Sequence, residues 1–158
     1  MAPADEIIIY PNDVLRQVCA PIGSADAETV ALAERMLELM YASPGRGLAG
    51  PQVGVPRRLF VMDASWKVDA PSPEICIDPE LVWSSPETCV MQEGCLSLPD
   101  QPRSISRPVQ VRMVWTDATG NRAEHLLEGV RARIAQHELD HLDGVLILDH
   151  PAAAAPSE

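Results

Sequence analysis

"GVRARIAQHELDHLDG", Gly129 to Gly144, reads as a helix in a chain whose other segments are mostly short strands, and that contrast sets the fold class. Gly144 is in place to close the helix with a left-handed residue. Within it, at about 100° per residue, His141 lies roughly 40° around the axis from His137, and Glu138 roughly 60° beyond His141. Both imidazoles can therefore face one ion with a carboxylate on the flank, the HExxH arrangement of a two-histidine metal helix with a glutamate as general base. Val130 and Ile134 occupy the preceding turns of the same face, so an ion would sit at the end of an apolar stripe, beside a low-dielectric wall.

Working outward, "DAETVALAERMLELMYAS" carries Val30, Ala33, Met36, Leu37 and Met40 at helical spacing, with Asp26 as N-cap and Pro44 and Gly45 as terminators. The rest alternates with period two or is broken by proline and glycine. "IIIYP" predicts a short strand broken at Pro11, followed by a loosely helical entry. "GRGLAGPQVGVPRR" predicts a loop and "LFVMD" a strand. "APSPEICIDPELVWSSPE" predicts a proline-interrupted pair of short strands. "ETCVMQEGCLSLPD" reads as strand, bend at Gly94, strand, and "RPVQVRMVWTDATGNRAEHLLEG" as a hairpin turning at Asp117 to Asn121. "VLILD" predicts a final strand and "HPAAAAPSE" a frayed tail. The expected architecture is α+β, with antiparallel sheets packed around a central HExxH helix and one N-terminal helix. At 158 residues the chain fits one catalytic domain, residues 1–150, and a flexible tail, residues 151–158.

Composition narrows the class. With 46% hydrophobic and 22% charged residues the chain is globular, and its formal charge of −11 disfavours broad nucleic-acid binding. Arg103, Arg107 and Arg112 form a small basic cluster that could touch RNA, with a solvated face as the commoner reading. The N-terminus has acids where a secretion signal needs positive charge, and no run approaches membrane-spanning length, so a cytoplasmic protein without membrane partners is expected. Cys19, Cys76, Cys89 and Cys95 show no CxxC spacing and should be free thiols or ligands in a reducing compartment.

Two imidazoles do not complete a catalytic metal site. The extended motif HExxHxxGxxH would place its third ligand at Ile147, which cannot bind a metal. A glutamate on a later helix would have to come from a tail that offers Glu158. The third ligand is therefore expected upstream, among the cysteines, His125 and assorted carboxylates. Cys95 stands out because it lies in "EGCLSLP", where Gly94 permits close backbone approach and a strand edge could hold a substrate.

Three segments, in order, resemble the signature motifs of peptide deformylases: "GRGLAGPQ" (Gly45 to Gln52), "EGCLSLP" (Glu93 to Pro99) and "QHELDH" (Gln136 to His141). Flanking stretches extend the resemblance from Ile7 to Asp149. It implies removal of the formyl group from the N-terminal methionine of nascent proteins, with Cys95, His137 and His141 as metal ligands and Glu138 as general base and acid. Gln52 and the Leu96 N–H match the groups that stabilise the oxyanion, and Gly47, after Gly45, matches the loop glycine whose backbone meets substrate. Met91, Glu93, Val130 and Ile134 fall where the family lines its methionine pocket, beside Gly94, with Arg46 and Arg133 near the rim. The resemblance also implies one divalent ion, Fe²⁺ in the cell, with Zn²⁺, Ni²⁺ or Co²⁺ compatible with the same donors.

Three features depart from the family pattern. Gly50 replaces a second alanine and could loosen the loop that carries Gln52, or do nothing. No C-terminal docking helix follows, which leaves transient ribosome proximity rather than stable attachment as the expectation. Arg46 and Arg133 are polar for a methionine pocket, a conflict removed if their stems pack and their heads reach solvent. The rival expectations are a hydrolase for another N-acyl substrate and a non-catalytic metal- or peptide-binding homologue.

Overall fold

The computed structural model describes residues 6–154. Helix α1 spans Ala27–Ala42, and the Asp26 carboxylate caps it by accepting the Thr29 N–H at 2.8 Å. Helix α2 spans Gly129–Leu142, and Gly144, at φ +74, follows in the left-handed conformation. Seven strands run between and around them: β1 (Gly47–Ala49), β2 (Leu59–Met62), β3 (Glu74–Ser84), β4 (Thr88–Cys95), β5 (Leu98–Pro108), β6 (Gln110–Thr116) and β7 (Arg122–Glu128). They form a five-stranded antiparallel sheet in the order β1-β2-β3-β6-β7 and a separate β4–β5 hairpin. The α+β class, both helices and the β6–β7 hairpin stand as the sequence predicts.

Several local expectations need correction. The isoleucines before Tyr10 make no strand; Ile8 donates its N–H to Gln52 O at 2.7 Å and Tyr10 to Ser97 O at 2.9 Å, so this segment laces two site loops together. "GRGLAGPQVGVPRR" is not all loop, since it holds β1 and a 3-10 turn at Gly50–Val53. The expected pair of strands around Pro79 is one strand, β3. A register shift between Ile77 and Glu80, with Asp78 at φ +49, takes Pro79 out of the ladder, where its missing N–H removes no bond. "VLILD" forms a 3-10 turn at Ile147–Asp149, because the Asp149 carboxylate accepts the Leu146 N–H at 2.9 Å and competes with strand pairing. Of the expected tail, Ala153 donates to Ser104 O at 2.9 Å, and residues 155–158 lie outside the described residues.

Strand β2 explains where the core sits. All four of its residues are buried, because successive side chains point to opposite faces and each face meets a helix. Leu59 and Val61 pack with Leu32, Ala33, Met36 and Met40 of α1. Phe60 and Met62 pack with Ala132, Ala135 and Leu142 of α2 and with Val111, Met113 and Trp115. Truncating Phe60 to alanine at this junction would cost about 3–5 kcal/mol. A third cluster of Leu15, Leu98, Ile105, Leu146 and Ile147 lies under the hairpin and includes Cys95. Helix α2 is thus pinned to the large sheet, while the hairpin that carries Cys95 belongs to no ladder of that sheet.

Candidate metal centre and substrate cavity

Helix α2 presents His137 and His141 on one stripe, with ring centroids 5.0 Å apart. Cys95, the last residue of β4, comes from the hairpin and brings its Sγ to 3.4 Å from His141 Nε2. The three donor atoms lie within 4.8 Å of one another, and among the described residues no other such group occurs. His125 takes no part; it stacks on Trp115 at 3.8 Å, on the large sheet. Among the described residues, His141 Nδ1 is buried without a hydrogen-bond partner, as is Glu138 Oε1. A thiol and two imidazoles with neutral-favouring burial fit a divalent transition metal better than Mg²⁺ or Ca²⁺, which want oxygen.

The surrounding groups fix these donors. Glu93 Oε1 stands 2.9 Å from His137 Nδ1, which orients that ring and leaves Nε2 free for an ion. Arg107 donates to both Glu93 oxygens at 2.6 and 2.9 Å, and Arg133 to Oε2 at 2.8 Å. Burial alone would raise the Glu93 carboxyl, but the hydrogen bonds from His137 and Arg107 overcome it and hold the group well below the usual carboxylate range. Burial lowers the proton affinity of His141. His137 is raised, because Glu138, Cys95 and Glu93 together outweigh its burial. Glu138 itself is pushed by burial up to about 7, with the opposing pull of His137 and Arg107 countered in part by the like charges of Glu93 and Asp140. A carboxyl near neutral pH can both accept and return a proton, the property required of a group that acts as base and then as acid.

Gln52 is held by three residues. Its Oε1 accepts the Ala49 N–H at 2.9 Å, and its Nε2 donates to Ser97 Oγ at 3.1 Å and lies 3.7 Å from Cys95 Sγ. Gly50 is buried within this loop: a Cβ there would stand 2.6 Å from Val55 O and 2.9 Å from Arg57 O. Gly47 is crowded too. A Cβ there would meet Glu138 Oε2 at 2.5 Å, so the glycine keeps open the space in front of that carboxylate.

These groups share a cavity of about 410 Å³, within the usual range for small-ligand sites. Gln52, Cys95, Leu96, His137 and Glu138 line it together with Met91, Glu93, Val130, Arg133 and Ile134. Gly45, Arg46, Gly47 and Gly94 stand at the same cavity, and His141 lies behind its wall. Gly94 is not crowded as expected, for nothing comes within 4 Å of a Cβ built there. Arg46 is exposed, but the head of Arg133 does not reach solvent; it turns inward to Glu93, Ile105 O and Cys89 O, which supply three acceptors. Arg107 is likewise buried rather than solvated, and the expected basic cluster separates. Arg103 donates to His150 O, and exposed Arg112 pairs with Glu124. Ser97, Arg107 and Asp140 are the supporting residues that sequence reasoning missed. Ser97 had a signal in its position two residues after Cys95, whereas Arg107 and Asp140 are joined only by the fold, across 33 residues.

Comparison with known proteins agrees with this geometry. A sequence profile of the polypeptide deformylase family matches residues 4–156. The peptide deformylase of Phenylobacterium zucineum (strain HLK1) is 42% identical over 145 residues, 92% of this chain and 86% of that protein. That of Rhizobium meliloti (strain 1021) is 44% identical over 144 residues, 91% of this chain and 83% of its own length. The crystal structure of the Thermotoga maritima peptide deformylase superposes with a TM-score of 0.88 at 38% identity, covering 97% of this chain and 100% of that one. The Synechococcus elongatus peptide deformylase in complex with actinonin gives 0.88 at 32% identity, over 98% and 81%. On its sequence and on its fold, this chain belongs to the peptide deformylase family.

Proposed function

We propose that the chain is a metal-dependent hydrolase that removes the formyl group from N-formylmethionyl peptides and nascent chains, releasing formate. The observation that carries this reading is the convergence of the Cys95, His137 and His141 donors within 4.8 Å of one another, with Cys95, His137 and Glu138 lining one cavity, in a member of the deformylase family. A divalent ion held by the thiolate and two imidazoles supplies a nucleophile near neutral pH, lowering the pKa of water from about 16 towards 7. Fe²⁺ is the proposed ion in the cell, and Zn²⁺, Ni²⁺ or Co²⁺ would satisfy the same donors.

The chain's own residues do the rest. Glu138 takes the proton of the attacking water and returns it to the leaving amine, work suited to a carboxyl poised near 7. Gln52 Nε2 and the Leu96 N–H are the proposed donors to the formyl oxygen as charge develops there, and Gln52 is already held in place by Ala49 and Ser97. Strand β4 pairs only with β5 among the described residues, so its other edge can take the peptide as an added strand. The methionine side chain then enters the wall formed by Met91, Val130 and Ile134, and the following residues leave past Arg46. Residues 1–150 are the proposed catalytic domain, and work in the cytoplasm with only passing ribosome proximity is proposed together with this substrate class.

The test is formate release by anaerobically purified, metal-loaded protein from formyl-Met, formyl-Ala and acetyl-Met peptides, with metal analysis on the same sample. Strong preference for formyl-Met is expected. No formate from protein that carries one ion per chain would overturn the reading.

A further inference from the structure

Behind the metal ligands stands a row of buried or half-buried charges in alternating sign. Arg133 Nη1 donates to Glu93 Oε2 at 2.8 Å, Glu93 accepts from Arg107 Nε at 2.6 Å, and Arg107 Nη1 donates to Asp140 Oδ2 at 2.9 Å. His150 Nε2 closes the row, 2.8 Å from the same Asp140 oxygen. Arg133, His137 and Asp140 lie on successive turns of α2, within about 60° of one another around its axis. Glu93 and Arg107 belong to β4 and β5. The row therefore joins the two elements that carry the ligands.

That junction matters because, among the described residues, no strand ladder connects the β4–β5 hairpin to the sheet on which α2 packs. Short chain links at either end of the hairpin and the Tyr10 N–H bond to Ser97 O place it coarsely, and side chains between hairpin and helix refine the distance from Cys95 to His137 and His141. Arg107 and Arg133 each make three of these bonds, and Arg133 reaches the more residues. Besides Glu93 it donates to Ile105 O at 2.9 Å and to Cys89 O at 2.7 Å, so one guanidinium grips both strands of the hairpin. Its planar fork suits several acceptors at once, which a lysine cannot match. The same side chain lines the wall of the cavity.

We propose that Arg133 is a positioning residue for the metal centre: it clamps the Cys95-bearing hairpin to the His137-bearing helix and, through Glu93, holds the His137 ring in its ligating orientation. The inference rests on the metal site of the proposed function, but its primary readout is metal affinity rather than turnover. Arg133→Met keeps a long stem and loses every donor, whereas Arg133→Lys keeps the charge and loses the fork. Partners that orient metal ligands typically change affinity about 10–100-fold. For Arg133→Met that loss is expected in the dissociation constant for Zn²⁺, measured by competition with a chromophoric chelator on protein shown to be folded by circular dichroism. Arg133→Lys should lie between it and wild type. In the Co²⁺-loaded proteins the thiolate-to-metal charge-transfer band should shift in Arg133→Met and shift less in Arg133→Lys.

A role confined to stability would lower the melting temperature of both variants and leave the Zn²⁺ affinity of the folded fraction unchanged. That outcome, or a wild-type cobalt spectrum in Arg133→Met, overturns the proposal. If Arg133→Met does not fold, Arg133→Lys decides: weaker Zn²⁺ binding supports the clamp, and wild-type affinity with a wild-type spectrum rejects it. Formate release from a formyl-Met-Ala peptide is followed separately. An Arg133 effect on metal affinity in a wild-type protein that releases no formate would leave this inference standing and remove the proposed reaction.

Discussion

Substituting Gly50 by alanine restores the residue usual in the family's first motif, and on this chain it should do harm. The Cβ would stand 2.6 Å from Val55 O and 2.9 Å from Arg57 O. Even favourable carbon–oxygen contacts are about 3.3–3.6 Å, so relief needs a shift of several tenths of an ångström. Neither oxygen is free to give way: Val55 O accepts the Arg57 N–H and Arg57 O the Leu59 N–H, both at 2.8 Å. Leu59 opens β2, so the strain reaches either the core strand or the 3-10 turn that carries Gln52. Overpacking of this kind costs about 1–3 kcal/mol. A less flexible unfolded chain returns about 0.4–1 kcal/mol, so from the middle of the overpacking range, about 2 kcal/mol, a net loss of about 1–2 kcal/mol remains. For a chain of 158 residues that is a fall of about 2–8 °C in melting temperature, measured by calorimetry on metal-loaded protein. Formate release should fall through kcat more than KM, because Gln52 moves while the methionine wall does not. A variant with unchanged or higher melting temperature would refute the packing argument, and with it the account of why glycine stands here.

The remaining predictions follow from the same geometry. Glu138→Gln should retain the metal and lose about 10²–10⁴ in kcat, as general-base loss does; unchanged turnover would remove Glu138 from its role. Gln52→Ala should lose about 10²–10³ in kcat with little change in metal content, the usual cost of one oxyanion donor. Gly47→Ala should lower both the melting temperature and kcat/KM for formyl-Met peptides, since its Cβ would meet Glu138 Oε2 at 2.5 Å and the methyl of the buried, β-branched Ile134 at 2.8 Å; an unchanged melting temperature would contradict the crowding. Acid stability tests Glu93, whose folded carboxyl titrates below its ordinary value of 4.5. The folded state then binds this proton less readily than the unfolded one, so the stabilisation is complete above that ordinary value and is lost as pH falls towards the folded one. The melting-temperature gap between wild type and Glu93→Gln should therefore narrow from about pH 5 to pH 3, and a constant gap would contradict the ionised assignment.

What could be read in the sequence was what local periodicity encodes. His137 and His141 share a helical stripe whatever the rest of the chain does, and α1 announces itself through its cap and apolar spacing. The β6–β7 hairpin is legible for the same reason, with Val111, Met113 and Trp115 alternating inward. Short apolar runs were less legible. "IIIY" and "VLILD" have strand composition, but a strand needs a partner edge, and these segments are held by single hydrogen bonds to Gln52, Ser97 and Asp149 instead. Pro79 misled in the opposite direction, because a bulge can excuse a proline that composition alone reads as a break.

The charges behind the site were beyond reach for a different reason. Arg107 in isolation is a surface residue by every compositional rule, and Arg133 an awkward guest in an apolar pocket. Each becomes intelligible only when Glu93, 14 residues before Arg107 and 40 before Arg133, stands between them. A carboxylate that must hold His137 in a low-dielectric interior needs compensating cations, and two arginines with good geometry supply them. The polar wall of the cavity is then a consequence of how the metal ligand is held rather than a sign of a polar substrate. On that argument Arg133→Met should make the wall more apolar and the ligand less secure at once. Its KM for formyl-Met peptides should stay level or fall while its metal affinity drops, and a rise in KM with unchanged metal binding would show that Arg133 serves the substrate directly.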